Sequence, residues 1–231
     1  MSAAPIIPQH IGYIVDGNRR WAKEHGLPAY EGHLAGYNAL KEVALATLAA
    51  GVQYASAYAF STENWKRSEA EVSKLMGLIV YAVKADLQIF IDNNVKLKVI
   101  GSRTRLSSKV NKAIDESETK TAAMTGGTFV VCLNYGGQAE IAEACKKIVQ
   151  SGVNPDDITP DLISQNLFAP EVPPIDIVVR TSGEQRISNF MLWRAAYSEL
   201  LFLDKFWPDM TKDDVGAILK EYSRRSRRFG G

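Results

Sequence analysis

HIGYIVDGNRRWAKEHG, residues His10–Gly26, carries the reading of the fold. Ile11 to Val15 is short, apolar and β-branched, the composition of a buried strand, and Arg19 to His25 reads as the opening of a helix. Asp16 therefore stands at the carboxyl end of a strand, where open α/β sheets bind their ligands. Gly17 can take a positive φ and let an anion approach the main chain, while Arg19 and Arg20 supply guanidinium forks suited to phosphate oxygens. A carboxylate among such donors makes chemical sense when a cation bridges it to phosphate. Mg²⁺ is commonly held by one or two carboxylates plus substrate phosphates. The competing reading is an ordinary strand-to-helix turn with solvated arginines.

Working outward, 231 residues with 46% apolar side chains suit a single globular domain spanning 1–231. Residues 1–9 are expected to be a flexible lead and 224–231 a basic tail. A formal net charge of +1 argues against a nucleic-acid binder, which usually carries a clear basic excess. Cys132 in an apolar run and Cys145 in a helical one read as buried thiols of a reducing compartment, and a cytoplasmic location is expected. No window approaches the roughly 18 apolar residues needed to span a bilayer, and no secretory signal opens the sequence.

The remaining chain alternates strands and helices. A helix is expected over Glu31 to Ala50, closed by Gly51, then a strand over Gln53 to Phe60. Ser68 and Glu71 have capping-box spacing ahead of one long helix that keeps its 3.6 period to about Asn94, roughly 35 to 40 Å. Its wide apolar stripe reads, on periodicity alone, as a helix packed on two sides. Strands follow over Val95 to Ile100, Thr128 to Tyr135, Ile175 to Arg180 and Glu199 to Leu203. Helices are expected over Leu106 to Met124, over Gln138 to Gln150 and after the N-cap pair Thr159 and Pro160. This is an α/β chain with a mostly parallel six-stranded sheet flanked by helices.

Four polar clusters fall where strands meet loops: Asp16 to Trp21, Ser61 to Arg67, Asn134 to Gly137 and Arg180 to Ser188. The last offers two guanidiniums, hydroxyls and a glycine turn, chemistry for a second phosphate-bearing ligand. Two anionic substrates are thus expected. Glu199 is either a second carboxylate for a cation or a structural hydrogen-bond partner. His33, after Gly32 near a helix start, is placed to donate to an anion. His10 and His25 lack partners at metal-ligand spacing, and neither a Walker A loop nor a dinucleotide fingerprint occurs. The acid pairs at 156–157 and 213–214 do not extend to D-D-x-x-D.

Taken together, DGNRRWAKEHG, EGH at Glu31 to His33, YAFSTENWKR at Tyr58 to Arg67, NYGG at Asn134 to Gly137, RTSGEQRISNFMLW at Arg180 to Trp193 and the closing RRFGG resemble the cis-prenyltransferase family. The resemblance runs in order from about His10 to Gly231. It implies that Asp16 is the Mg²⁺-linked carboxylate, with Glu199 as a further metal or water ligand. Gly17, Asn18, Arg19, Arg20, His33 and Arg67 would contact an allylic diphosphate. Arg180, Arg186 and Ser188, with Ile187 between them, would hold the diphosphate of isopentenyl diphosphate. Asn64, with Ser61, Thr62 and Glu63 beside it, falls where the family has its candidate proton acceptor, although an amide is a poor base. Trp21 and Trp65 would shield the mouth. Arg228 and Gly230 belong to a segment that reaches a partner subunit, which implies a homodimer.

The same resemblance reverses the reading of the long helix: it and the helix before it would wall an apolar tunnel over the sheet. The expected product is a medium to long polyprenyl diphosphate, with peripheral membrane contact through the basic tail. Rival readings are a non-catalytic or weakly active partner subunit of such a complex, and a phosphohydrolase that would need a second acid beside Asp16. Two positions depart from the family pattern: Val15 replaces the usual methionine, and Ala29 stands where the family carries an arginine for the allylic diphosphate.

Overall fold

The apolar run of the opening strand alternates in space. Ile11 and Tyr13 bury themselves on one face of a sheet, while Ile14 joins the core of the other. The computed structural model describes residues 6–225. In chain order the elements are β1 His10–Ile14, α1 Asn18–Glu24, α2 Ala29–Ala49, β2 Tyr54–Ser61, α3 Glu69–Ala85, α4 Leu87–Asp92 and β3 Lys96–Ile100. They continue with α5 Ser108–Thr121, β4 Thr128–Tyr135, α6 Gly137–Gln150, α7 Pro160–Asn166, β5 Ile177–Arg180, β6 Glu199–Phe202 and α8 Lys212–Arg224.

All six strands run parallel in the order β3-β4-β2-β1-β5-β6. The chain builds outward from β1 on one side, then returns across it to lay down β5 and β6 on the other. The reversal lies between β1 and β5. That is the topological switch point, where a crevice opens outside the strand ends.

On one face, Val43, Ala44 and Leu48 of α2 and Val215, Ile218 and Tyr222 of α8 pack on Ile11, Tyr13, Ala57, Ile177 and Val179. On the other, Phe190, Met191 and Ile175 cover Val178, Val130 and Tyr135. That second layer is closed by a buried ion pair, Arg194 to Glu140 at 2.8 Å, whose guanidinium also donates to the carbonyls of Val172, Phe168 and Ala169. Gly32 and Gly36 let α1 lie directly on α2: a Cβ at Gly32 would stand 2.0 Å from the Asn18 carbonyl oxygen, and one at Gly36 2.3 Å from Asn18 Oδ1.

Three expectations change. The single helix from Ser68 to Asn94 is broken at Asp86 into α3 and α4, because the Asp86 carboxylate is drawn sideways to Tyr37 and Lys41 of α2. Cys145 is exposed, not buried, since it lies on the outer face of α6; both cysteines are free. The sequence reading has no counterpart to α8, although Thr211 and Asp214 form a capping box and Val215, Ile218 and Tyr222 share one buried face. In the expected flexible lead, the Ile6 N–H donates to Ser223 Oγ at 3.1 Å and the Gln9 N–H to Asp176 Oδ2 at 2.7 Å. Arg228 and Gly230 lie outside the described residues. Among those residues no helix is long and apolar enough to cross a membrane.

Candidate active site

Asp16 leaves β1 with its backbone fixed on three sides. Its N–H donates to Thr181 Oγ1 at 3.1 Å, and its carbonyl accepts from the Thr181 hydroxyl at 2.7 Å and the Trp207 N–H at 3.0 Å. Gly17 follows at φ 108°, and a Cβ there would meet Phe206 Cδ1 at 2.7 Å. Only glycine suits both the left-handed backbone and that contact. The turn thus delivers a carboxylate and then two arginines to the switch point.

The Asp16 carboxylate lies between guanidiniums. Oδ2 accepts from Arg180 at 2.9 Å, and Oδ1 lies 3.4 Å from Arg20. Arg180, only 4% exposed, is held in turn by the Arg186 carbonyl and by Ser188 Oγ at 2.7 Å, and its buried Nε–H has no partner. Arg20 reaches Ser182 and Glu184 over the Phe206 ring. Residues Ser182, Ser188, Asn189 and Met191 all take left-handed backbone, so this loop stores conformational strain of the kind that collects at binding sites.

Asp16 divides a cleft into two lobes. One, about 750 Å³, is lined by Gly17, Asn18, Arg19, Arg20, Lys23, Ala29, His33, Asn64 and Arg67. The other, about 610 Å³, is lined by Ser61, Glu63, Asn64, Arg67, Arg180, Arg186 and Ser188. The two sets expected for two diphosphates are therefore brought to opposite sides of one carboxylate. Lys23 was missed; its place one turn after Arg19 on α1 is the signal that would have found it.

Glu71 was missed as well. Its N–H is capped by Ser68 Oγ at 3.3 Å, but its carboxylate turns away from the N-cap to Arg67 at 3.1 Å, His33 at 3.8 Å and Arg19 at 3.9 Å. In the sequence Glu71 stands out by its capping-box spacing after Ser68, a structural mark, and its spacing of four from Arg67 is the signal that points to the site. Burial, reinforced by Arg67, holds the His33 pKa below the ordinary histidine value, so the imidazole is neutral at pH 7 and its buried Nε2 is unpartnered. An incoming anion would meet an unsatisfied ring nitrogen there.

Other expected residues sit elsewhere. Asn64 lines both lobes, but its Oδ1 accepts the Ser61 N–H at 3.0 Å as half of a capping box, so that oxygen is already engaged. Thr62 bonds Glu63, and Glu63 accepts from Asn189 at 3.0 Å. Ile187 packs against the second core layer. Trp21 donates to Asp209 at 2.6 Å and stacks on His25, while Trp65 donates to Asn134 at 2.7 Å beneath the Arg105 guanidinium. Neither tryptophan lines the cleft.

Glu199 is the clearest separation. It begins β6 opposite Ile177, level with Ile11, so Asp16 lies five residues further along, about 16 Å at 3.3 Å per residue. Within this chain the two carboxylates cannot share a cation. Glu199 instead accepts from Arg225 at 3.1 Å. Among the described residues no cluster of three or more His, Cys, Asp or Glu gathers to hold a metal. The donor set at Asp16, one carboxylate facing several guanidiniums, repels a bare divalent ion but fits Mg²⁺ that arrives with diphosphate oxygens as its other ligands.

Below the first lobe the chemistry turns apolar. A cavity of about 100 Å³ lies between α2, α3 and the sheet, lined by Tyr37, Leu40, Ile79, Val83, Phe129 and Leu133 among others. Tyr37 follows His33, and Ile79 follows Leu75, by one helical turn, so the cavity continues the cleft inward. Ala59 lines both. It is the extra residue in β2 between the Tyr58–Cys132 and Phe60–Leu133 pairs, and Asn134 is the compensating extra residue in β4. Such a bulge re-aims side chains beside sites. Here it leaves a small one at the join.

The family model described as putative undecaprenyl diphosphate synthase matches residues 14–230. The isoprenyl transferase of Porphyromonas gingivalis is 42% identical over 234 residues, covering all of this chain and 92% of its own, and that of Thermotoga maritima is 42% identical, covering 97% of each. Among solved structures, lavandulyl diphosphate synthase from Lavandula x intermedia, in complex with dimethylallyl diphosphate, superposes with a TM-score of 0.94 at 33% identity, covering 97% of this chain and 99% of its own. A probable undecaprenyl diphosphate synthase from Campylobacter jejuni gives 0.82 at 29% identity, with the same coverage. With the two-lobed cationic cleft at the switch point and relatives of this similarity over the full length, the chain belongs to the undecaprenyl diphosphate synthase family and is a prenyltransferase.

Proposed function

We propose that the protein condenses isopentenyl diphosphate with an allylic diphosphate such as farnesyl diphosphate, in the presence of Mg²⁺, to make a Z-polyprenyl diphosphate of medium to long chain. The observation that carries this reading is the shared carboxylate: Asp16 stands between two cationic lobes, one of which opens into an apolar cavity. A polar head and a hydrocarbon tail are both accommodated only in the first lobe, which makes it the allylic side.

In that lobe Arg19, Arg67, Lys23 and neutral His33 receive the allylic diphosphate, displacing Glu71 from its cations. In the second, Arg180 offers its unpartnered Nε–H, and Arg186 and Ser188 complete the seat for isopentenyl diphosphate. Mg²⁺, when bound by Asp16 and diphosphate oxygens, supplies charge neutralisation for the departing diphosphate. The guanidiniums are preorganised for the same growing charge. As the allylic C–O bond breaks, the isopentenyl alkene attacks the allylic carbon, and loss of a proton leaves a new Z double bond. With Asn64 Oδ1 engaged by the Ser61 N–H, a diphosphate oxygen or water takes that proton. A homodimer completed by the Arg228 to Gly230 segment and a peripheral membrane contact belong to the same reading, as does a cytoplasmic location.

Incubating the purified chain with farnesyl diphosphate, labelled isopentenyl diphosphate and Mg²⁺ tests it. Label in an extended hydrocarbon product is expected. Phosphate release without extension, or no turnover, would overturn the reading.

A further inference from the structure

Of the four polar clusters, Asn134 to Gly137 alone lends no residue to either lobe. Its partners show what it does. Asn134 Oδ1 accepts the Trp65 indole N–H at 2.7 Å, and Ser61 pairs with Tyr135 in the sheet, so the Ser61 to Arg67 segment docks on it from one side. Asn189 docks from the other: the Gly137 N–H donates to the Asn189 carbonyl at 2.8 Å, and the Gln138 N–H to Asn189 Oδ1 at 2.8 Å. With glycine at its N-cap, α6 has no side-chain cap of its own, and Asn189 supplies one from 51 residues away. Both glycines are needed at this junction. A Cβ on Gly136 would stand 2.7 Å from Thr62 Oγ1 and 2.8 Å from Asn189 Nδ2, and one on Gly137 2.7 Å from Leu192 Cγ.

The Asn189 amide joins the two segments. Its oxygen must face the Gln138 N–H, which can only donate, so its nitrogen faces Glu63 and donates to Oε1 at 3.0 Å. Partial burial works against the charge on Glu63, yet its own N–H and donors on Asn189, Ser61 and Thr62 outweigh it and hold its pKa below the ordinary glutamate value. The bond is therefore charge-assisted at pH 7. Glu63 shares the second lobe with Arg180, Arg186 and Ser188, where a loose carboxylate would compete with a diphosphate for the guanidiniums. Asn189 also follows Ser188 directly, whose Oγ accepts from Arg180 at 2.7 Å, and both residues take left-handed backbone. The bridge thus sets where Ser188 meets Arg180 and where Glu63 is held.

We infer that Asn189 is a positioning residue for the second lobe: its amide ties the loop after β5 to the Ser61 to Arg67 segment and keeps the Glu63 carboxylate off the cations that receive isopentenyl diphosphate. This rests on the elongation reading above. Both ends of the amide are engaged, so Asn189 acts through Glu63 and Ser188 and not by touching the reacting atoms.

The test is a split between the two Michaelis constants, measured with farnesyl diphosphate, labelled isopentenyl diphosphate and Mg²⁺. Asn189→Asp keeps the oxygen that caps α6 and sets a second carboxylate against Glu63. Asn189→Gly keeps the left-handed backbone and removes the bridge. For both, the isopentenyl KM should rise about ten- to a hundredfold, the loss expected when a hydrogen bond to a charged group goes, with the allylic KM within about threefold of wild type. Combining Asn189→Asp with Glu63→Gln exchanges the charge between the two positions, so that an amide again donates to a carboxylate, and should bring the isopentenyl KM back down. An unchanged isopentenyl KM in either single variant, an equal rise in both constants, or a double variant no better than Asn189→Asp would overturn the proposal. A wild-type chain that adds no unit overturns the elongation reading instead. Calorimetric titration of isopentenyl diphosphate into the same proteins then decides the role of Asn189, with dissociation constants expected in the same order.

Discussion

Asp16 is legible from its neighbours in sequence, because strand, carboxylate, glycine and arginines are all local. What holds it is not. Thr181, which clamps its backbone, and Arg180, which pairs with its side chain, arrive from 165 and 164 residues away. Exchanging Asp16 for asparagine keeps the shape and removes the charge that organises both lobes. We expect kcat to fall by at least about a hundredfold, the scale seen when one preorganised polar group at a reacting centre is lost. Denaturation midpoints should barely move, because Arg180 keeps the Arg186 carbonyl and Ser188; a variant that elongates at the wild-type rate would remove Asp16 from the mechanism. Ala29 offers a gain-of-function counterpart. It opens α2 and lines the first lobe with His33, at the position where the family resemblance implies an arginine for the allylic diphosphate. Ala29→Arg should lower the allylic KM about ten- to a hundredfold, the worth of one hydrogen bond to a charged group, and leave the isopentenyl KM alone. An unchanged allylic KM would mean that Arg19, Lys23 and Arg67 already satisfy that diphosphate.

At the scale of elements, helix and strand identities follow from periodicity, and the interruptions do not. The β2 bulge at Ala59 depends on the compensating Asn134 in β4, and the break at Asp86 depends on two side chains of α2. Both are tertiary contacts written into a residue that locally looks ordinary. His10 shows the same principle in β1. Its ring is fully buried between the Pro173 carbonyl at 2.9 Å and Ser56 Oγ at 2.6 Å, and burial lowers its pKa to about 4. The folded chain therefore keeps a neutral imidazole that the unfolded chain would protonate below about pH 6.5. Its contribution to stability is complete above that pH and is lost as pH falls toward 4, a change on the order of 3 kcal/mol. Unfolding free energies from urea titrations at pH 7 and pH 4.5 should drop further for wild type than for His10→Gln, by about 2 to 3 kcal/mol. Parallel pH dependence in the two proteins would show that His10 is protonated, or solvated, in the native state.

For the whole molecule, the strand order was the part that sequence could not supply: nothing local tells β5 to cross back and pair with β1 rather than extend the sheet beyond β3. That crossing makes the switch point, and the switch point concentrates charge. A chain of net charge +1 gathers Arg19, Arg20, Lys23, Arg67, Arg180 and Arg186 around one central carboxylate. Such a cleft attracts diphosphate and repels a lone divalent cation, so the metal should bind only in company. Thermal unfolding reads this directly. Mg²⁺ alone should leave Tm unchanged, and farnesyl diphosphate alone should raise it slightly. The two together, at about a hundred times the dissociation constant, should stabilise by about 2.7 kcal/mol, which for a chain of this size is about 5 to 10 °C. Chelating the metal from that mixture should return Tm to the value with diphosphate alone. A rise with Mg²⁺ alone as large as with the pair would reveal a preformed metal centre, and the picture of a cation escorted to Asp16 by its phosphates would have to be given up.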